Sequence, residues 1–250
     1  MIVPLDKITL LCLDADRHAA AEVLQELGLL HLEPLIPPVG DEIDALRRRQ
    51  EQRGAARALL AGSDPAPGAA PALPPDAAVD RILALDAERR ELERHLEALR
   101  AERRRWLPFG HFEPARLRAL AQTGWNIRLF FVPGRALPPA PAQTHLVIFQ
   151  QDNDGAHVAL VGPADLPYAG EELPVPDRAP AELDREIADG EARLQALRAE
   201  LGSLAALGPA LIELEKSGKD QLDFLAACAG MGRRGAIALL RGYAPADALP

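Results

Sequence analysis

Residues 80–106 read DRILALDAERRELERHLEALRAERRRW and carry a seven-residue repeat of apolar side chains. The repeat alternates spacings of three and four, and of its positions only Arg89 and Arg103 are charged. Apolar residues at this spacing line one face of an α-helix. The stretch therefore predicts a long helix that has to bury its stripe. The positions of the repeat are 82, 85, 89, 92, 96, 99, 103 and 106.

A second stretch with the same repeat runs from Ala181 to about Lys216. At 1.5 Å per residue, the two predicted helices are roughly 40 and 55 Å long. The simplest way to bury both apolar stripes is for the two helices to pack against each other as an antiparallel pair. The alternative is that each helix lies on a globular core. Gly190, Gly202 and Gly208 lie within this second stretch, and they either bend the helix or let its partner approach closely.

The segments around the two repeats predict small α/β lobes. A strand, a helix and a strand are expected at the start, an αβ insert with a β-hairpin in the middle, and a helix and a strand at the end. The predicted elements are strands 8–13 and 29–36 around helix 17–27, helix 41–62, helix 113–122, strand 125–132, hairpin strands 144–150 and 156–162, helix 220–229 and strand 236–243.

The predicted fold class is α+β, with two lobes joined by a long antiparallel two-helix coiled-coil hairpin, like a dumbbell. Five prolines break the chain at 64–75, DPAPGAAPALPP. The expected division is a proximal lobe at 1–40 and 218–250, a helical arm at 41–107 and 178–217, and a distal lobe at 108–177.

Composition and motifs exclude several classes of function. The net charge of −9 argues against a nucleic-acid partner, because nucleic-acid affinity comes from clustered Lys and Arg. Six scattered histidines, with no phosphate, dinucleotide or esterase motif, predict neither a catalytic site nor a metal, a cofactor or a small-molecule substrate. Glu171 and Glu172 fall in a predicted proline-rich loop, where raising a carboxylate pKa for acid–base catalysis is difficult.

The cysteines and the lengths of the apolar runs indicate the cellular compartment of the chain. Cys12 and Cys228 lie in apolar segments with no metal-ligand spacing, which favours buried thiols over a disulfide. No run approaches the roughly 18 apolar residues of a membrane span. The N-terminus lacks the basic and small-residue features of a signal peptide. A soluble, reduced chain is expected.

Both ends of the sequence resemble one family. The start MIVPLDKITLLCLDADRHAAAEVLQELGLLHLEPL, with Pro4, Gly28 and His31, is similar to the N-terminus of subunit I of V-type and A-type ATPases, the counterpart of eukaryotic subunit a. The end LLRGYAPADALP, with Gly242 and Tyr243, resembles the Gly-aromatic-x-Pro stretch of that family. The family's cytoplasmic half consists of two lobes on a helical hairpin.

The resemblance implies a mechanical function. Subunit I is a non-catalytic stator of a rotary ATPase, a collar that links peripheral stalks, built from subunits E and G, to the membrane sector and lies beside the central stalk. It continues into a membrane domain that this sequence lacks. The chain is therefore expected to be a truncated fragment or a split gene product at the cytoplasmic face of the membrane, and none of its arginines is assigned the ion-pathway role.

We assign partner binding to six residues. Four lie in the predicted distal lobe and two in the glycine-rich segment AGMGRRGAI, which is interpreted as a flexible connection because it precedes a strand and opens no helix. The six candidates are Trp125, Phe130, Phe149, His157, Arg233 and Arg234.

Two other hypotheses stay open. A ferredoxin-like sensor of small molecules also uses β-α-β units of this size, although it needs no long helical hairpin. A generic coiled-coil scaffold would instead dimerise through the apolar stripes, so that its mass and helicity depend on concentration.

Overall fold

The computed structural model describes residues 4–28, 30–63, 71–163 and 166–246. The chain divides into two compact units. Unit 1 comprises Met1–Asp86 and Arg198–Pro250, and unit 2 comprises Ala87–Leu197. Helices and antiparallel sheets occur in both units, which confirms the α+β class.

Unit 1 combines a small sheet with helices. Two long helices, α3 (Pro75–Trp106) and α5 (Pro180–Leu204), cross the division between the units. The other elements of unit 1 are β1 (Leu5–Leu13), α1 (Arg17–Leu27), β2 (His31–Glu33), α2 (Asp41–Ala61), α6 (Gly208–Gly230), β7 (Gly232–Arg234) and β8 (Ile237–Pro245).

The sheet of unit 1 brings the first and last strands of the chain together. β1 pairs with β8 along nine residues, from Leu5 opposite Pro245 to Leu13 opposite Ile237. β2 pairs with the other side of β8, so that β8 lies between the two strands of the predicted β-α-β unit. The even-numbered side chains of β8 face the helices. The core there contains Ala21, Cys228, Met231, Ala238 and Leu240.

Unit 2 is built on a second antiparallel sheet, in the order β4-β5-β3-β6. The predicted hairpin is confirmed, with a bulge in its first strand between Ile148 and Gln150. The elements are α4 (Pro114–Ala121), β3 (Asn126–Pro133), β4 (His145–Gln151), β5 (Gly155–Gly162) and β6 (Glu171–Leu173), with a 3-10 turn at Leu107–Phe109.

Within unit 2, α3 and α5 run antiparallel. Arg193 Nη2 lies 2.6 Å from Glu88 Oε1, and Arg103 Nε lies 2.7 Å from Asp184 Oδ1. Between these pairs a Cβ on Gly190 would lie 2.7 Å from Leu96 Cδ2. The glycine therefore serves close packing at this position. The apolar repeat faces inward, and its buried members in both units include Ile82, Leu85, Leu96, Leu99, Leu183, Leu194, Leu197 and Leu201.

The second repeat was predicted as one helix to about residue 216, and this prediction was wrong. α5 ends at Leu204, a 3-10 turn covers Ala205–Leu207, and α6 begins at Gly208. The reason is Pro209, which has no N–H to donate and whose ring would clash with the carbonyl of Ala205 in a continuous α-helix. The predicted helix 220–229 is the last part of α6.

Three short strands also differ from the predictions. β2 spans three residues instead of 29–36, because Pro34 ends the ladder and the N–H groups of Leu35 and Ile36 bond to the carbonyl of Gly230. Glu171 and Glu172 lie in β6, which pairs with β3, and not in a loop. The glycine-rich segment forms β7, whose turn to β8 contains Gly235 at φ +66°.

The remaining predictions concern the linker and the cysteines. Residues 64–70 of the predicted break lie outside the described residues; α2 ends before them and α3 begins after them. Cys12 and Cys228 are both free, Cys228 is buried and Cys12 is partly buried, so the two thiols form no disulfide.

The close approach at Gly190 gives a stability prediction. Gly190→Val places methyl groups against the buried side chain of Leu96, so we expect the free energy of unfolding to fall by about 1–3 kcal/mol. Gly208→Val is the matched control, because no atom lies within 4 Å of a Cβ there. Urea denaturation followed by circular dichroism measures both. Equal effects of the two substitutions would contradict the close packing.

Candidate interaction surfaces

Two of the six candidates, Phe149 and His157, lie in one aromatic cluster of unit 2. The ring of His157 is 4.9 Å from that of Phe131 and 5.5 Å from that of Phe109, measured between centroids. Phe109 is also 5.5 Å from Phe149. Phe109 is buried, whereas Phe149 is 47% exposed. The cluster therefore joins the core of unit 2 to its surface.

Phe130 and Trp125 are placed elsewhere. Phe130 is only 1% exposed and packs against Tyr168 on the opposite face of β3 from Phe131. Trp125 is 52% exposed, but it precedes β3, six residues from Phe131. Six residues of strand span about 20 Å. Of the four candidates in unit 2, the structure brings together only Phe149 and His157.

Two further exposed apolar side chains lie on the strand that carries Phe149 and on the turn that carries its neighbour Phe109. Leu107 is 59% exposed in the 3-10 turn that packs on β4, and Val147 of β4 is 44% exposed. Val147 pairs with Ala159, which belongs to the core beneath α3 and α5, so Val147 lies on the same face of the sheet as that core. We call Leu107, Val147 and Phe149 the Leu107 patch.

Two arginines precede Leu107 by two and three residues at the end of α3. Arg104 and Arg105 are exposed in the last turn of α3, and within the described ranges neither has a carboxylate partner. Arg105 lies over the ring of Trp106, 5.5 Å from its centroid. By contrast, Arg100 pairs with Glu191 at 2.6 Å and Arg103 pairs with Asp184. Part of the positive charge at the end of α3 is therefore not neutralised by a neighbouring side chain.

His157 is the titratable group beneath this surface. Burial among the aromatic rings lowers its pKa, and the negative charge of Asp152 opposes the shift. Asp152 Oδ1 accepts hydrogen bonds from the backbone N–H groups of Asp154 and Gly155, with N···O distances of 2.9 and 3.1 Å. These bonds lower the pKa of Asp152. The imidazole is therefore held toward its neutral form, and the Asp152 carboxylate toward its charged form.

The two candidates of unit 1 lie on β7. Arg233 and Arg234 are exposed, and Arg233 Nε is 3.3 Å from Asp14 Oδ1. This ion pair ties β7 to the turn that follows β1. A strand with one arginine paired in this way differs from the flexible connection that the sequence predicts.

Unit 1 also has an apolar groove beside β1. β1 pairs only with β8 among the described strands, and residues of both β1 and α1 line the groove. The groove between them has a volume of about 400 Å³. The side chains that line it include Leu10, Leu11, Cys12, Ala20, Val23 and Leu240. Sequence analysis missed this groove, because alternating apolar residues in a strand do not reveal which edge stays unpaired.

Leu107, Val147, Arg104 and Arg105 were also missed. The run of arginines at the end of the repeat was the available signal, but such runs are usually a solvated face. No group of three or more His, Cys, Asp or Glu side chains in the described ranges is placed to hold a metal ion. Among the helices of the described part, none has the length and apolarity needed to cross a bilayer.

The chain is similar to a known ATP synthase subunit. It is 26% identical over 217 residues to V-type ATP synthase subunit I 1 of Treponema pallidum (strain Nichols). The alignment covers 82% of this chain and 34% of that protein. The chain thus spans about a third of the length of this curated relative. The predicted resemblance to subunit I is confirmed at this level. No protein-family model matches the chain.

The chain also aligns with a solved structure, the cytoplasmic N-terminal domain of subunit I, a homologue of subunit a of V-ATPase. The alignment covers 96% of this chain and 93% of the solved chain, at 18% sequence identity and a TM-score of 0.44.

The pKa of His157 gives a pH prediction. Because the folded-state pKa lies below the ordinary value near 6.5, the unfolded chain binds more protons between the two values, and acidification through this range favours unfolding. His157→Gln removes this contribution. We expect the variant to lose less unfolding free energy than the native chain between pH 7 and pH 5, measured by urea denaturation. The control is His145→Gln; an unchanged pH dependence in His157→Gln contradicts the assignment.

Proposed function

We propose that this chain is a non-catalytic stator component of a rotary V-type or A-type ATPase, where it links peripheral stalks to the membrane sector. The observation that carries the proposal is the identity of 26% over 217 residues to V-type ATP synthase subunit I 1. Its partners are peripheral stalk subunits E and G, with the central-stalk or membrane-sector subunits nearby. It acts at the cytoplasmic face, as part of a membrane protein.

The packing of α3 and α5 suits a stationary element. A stator has to resist torque, and paired helices with a buried apolar seam resist bending. Two ion pairs one heptad apart connect the same two helices: Arg193 to Glu88 in unit 2, and Arg81 to Glu200 at 2.7 Å in unit 1. Each exposed pair contributes little stability, but together they oppose sliding of one helix along the other.

The predicted three-part division and dumbbell arrangement belong to this proposal. A compact chain of 250 residues has a radius of gyration of about 18 Å. We expect small-angle X-ray scattering of the monomeric chain to give a value well above this. A compact value contradicts the arrangement, and a dimer at the same concentration favours the coiled-coil scaffold.

Coassembly tests the function directly. We expect the 250-residue chain to coelute in size-exclusion chromatography with subunits E and G of the same organism, and the purified chain alone to hydrolyse no ATP. The stalk subunits without the chain are the control for their own elution. Failure to coelute with the stalk, central-stalk or membrane-sector subunits contradicts the proposal. Stabilisation by amino acids or nucleotides in a thermal-shift assay instead favours the sensor hypothesis.

A further inference from the structure

We infer that the Leu107 patch binds an acidic amphipathic helix of another protein chain, through its three apolar side chains and the neighbouring Arg104 and Arg105. This inference rests on the proposed function, because it specifies the chemistry of one partner contact. Trp125, Phe130, Arg233 and Arg234 contribute nothing to it.

The apolar part of the surface is defined by its position over the core. Phe149 lies on Phe109, and the 3-10 turn that carries Leu107 packs on β4. Single exposed apolar residues are ordinary on protein surfaces. Here Phe149 contacts the buried ring of Phe109, Val147 precedes Phe149 by two residues on β4, and Leu107 precedes Phe109 by two residues in the 3-10 turn. Rigid side chains supported from below lose little conformational entropy on binding, which is typical of the central residues of interfaces.

The charged part of the surface indicates the sign of the charge on the partner. Arg104 and Leu107 are three residues apart across the end of α3, so they are neighbours on its surface. Basic residues in a last helical turn also stabilise the helix dipole. Arg103 already places one arginine in this turn and Arg100 lies one turn earlier, and both have carboxylate partners. Asp152 is the acidic group near His157, and its charge is engaged by two backbone N–H groups. Carboxylates on the partner would complete the pairing at Arg104 and Arg105.

The strand geometry favours a helix over an added strand. β4 is an edge strand, and its edge would accept another strand if it were regular. The bulge between Ile148 and Gln150 interrupts the regular pairing of β4 next to Phe149, and bulges protect edges from strand addition. The patch therefore offers side chains on a face instead of a continuous backbone edge. A helix meets such a face with apolar residues at i, i+3 or i+4, and i+7, and its flanks carry the acidic residues.

Charge reversal tests the inference in the coassembly of the whole chain with subunits E and G. We expect Arg104→Glu/Arg105→Glu to raise the dissociation constant at least tenfold. The dissociation constant of this variant should also depend less on salt concentration. The matched control is Arg94→Glu/Arg116→Glu, which changes the same charge at two exposed arginines of unit 2 that pair locally with Glu91 and Glu113. We expect it to stay within twofold of the native chain.

The apolar part is tested by Leu107→Ser, with Leu120→Ser as the control at another exposed leucine of unit 2. Only Leu107→Ser should weaken binding. Circular dichroism verifies that all variants remain folded. If the native chain coassembles and the two Leu107-patch variants bind as tightly as their controls, the inference is overturned while the proposed function stands. If the native chain does not coassemble with any ATPase subunit, both are overturned.

A crosslink identifies the partner segment. Leu107→Cys labelled with a benzophenone maleimide is irradiated in the complex, with the labelled native chain as the background for Cys12 and Cys228. We expect mass spectrometry to find crosslinks in a segment with a helical apolar stripe flanked by Asp and Glu. Crosslinks to a basic segment, or to one without that periodicity, overturn the inference.

Discussion

Burial of the apolar stripe on α3 is the constraint that most of the architecture serves. The stripe runs from Ile82 to Trp106, and Leu85, Leu96 and Leu99 on it are almost inaccessible. α5 covers it by running antiparallel, and Gly190 removes the side chain that would hold the two helices apart. After α5 the chain continues in unit 1, where β8 pairs with β1.

Elements with many repeats were predictable, and elements fixed by a single residue or a distant partner were not. The heptads predict α3 and the first part of α5, because about a dozen positions agree. The pattern continues through Leu204 and Leu211 and so masks the break, although Pro209 in the sequence is a helix-breaking signal. Strands of three residues are too short to show a period of two. β6 and β7 exist because β3 and β8 offer them hydrogen-bonding edges.

The candidate surface was only partly predictable for a related reason. The hairpin could be recognised from its turn, so Phe149 and His157 were assigned to the right region. Phe130 and Phe131 are adjacent in the sequence and point to opposite faces of a central strand that is covered on both sides, and no local pattern tells which face lies nearer a surface. To assign Leu107 to this surface, one would have to know that the turn carrying it packs on a strand forty residues later in the sequence.

The position of the Leu107 patch connects the proposed contact to the helical seam. Leu107 directly follows Trp106, the last residue of α3, and Trp106 and Phe109 both belong to the core that holds α3 and α5 together. A load applied to Leu107 and Phe149 therefore passes into that core through one peptide bond and one ring contact, without crossing a loop. A partner bound to a flexible segment would move before the helices took up any load. For the stator proposed above, which has to resist torque, the end of α3 is therefore the better place for the contact.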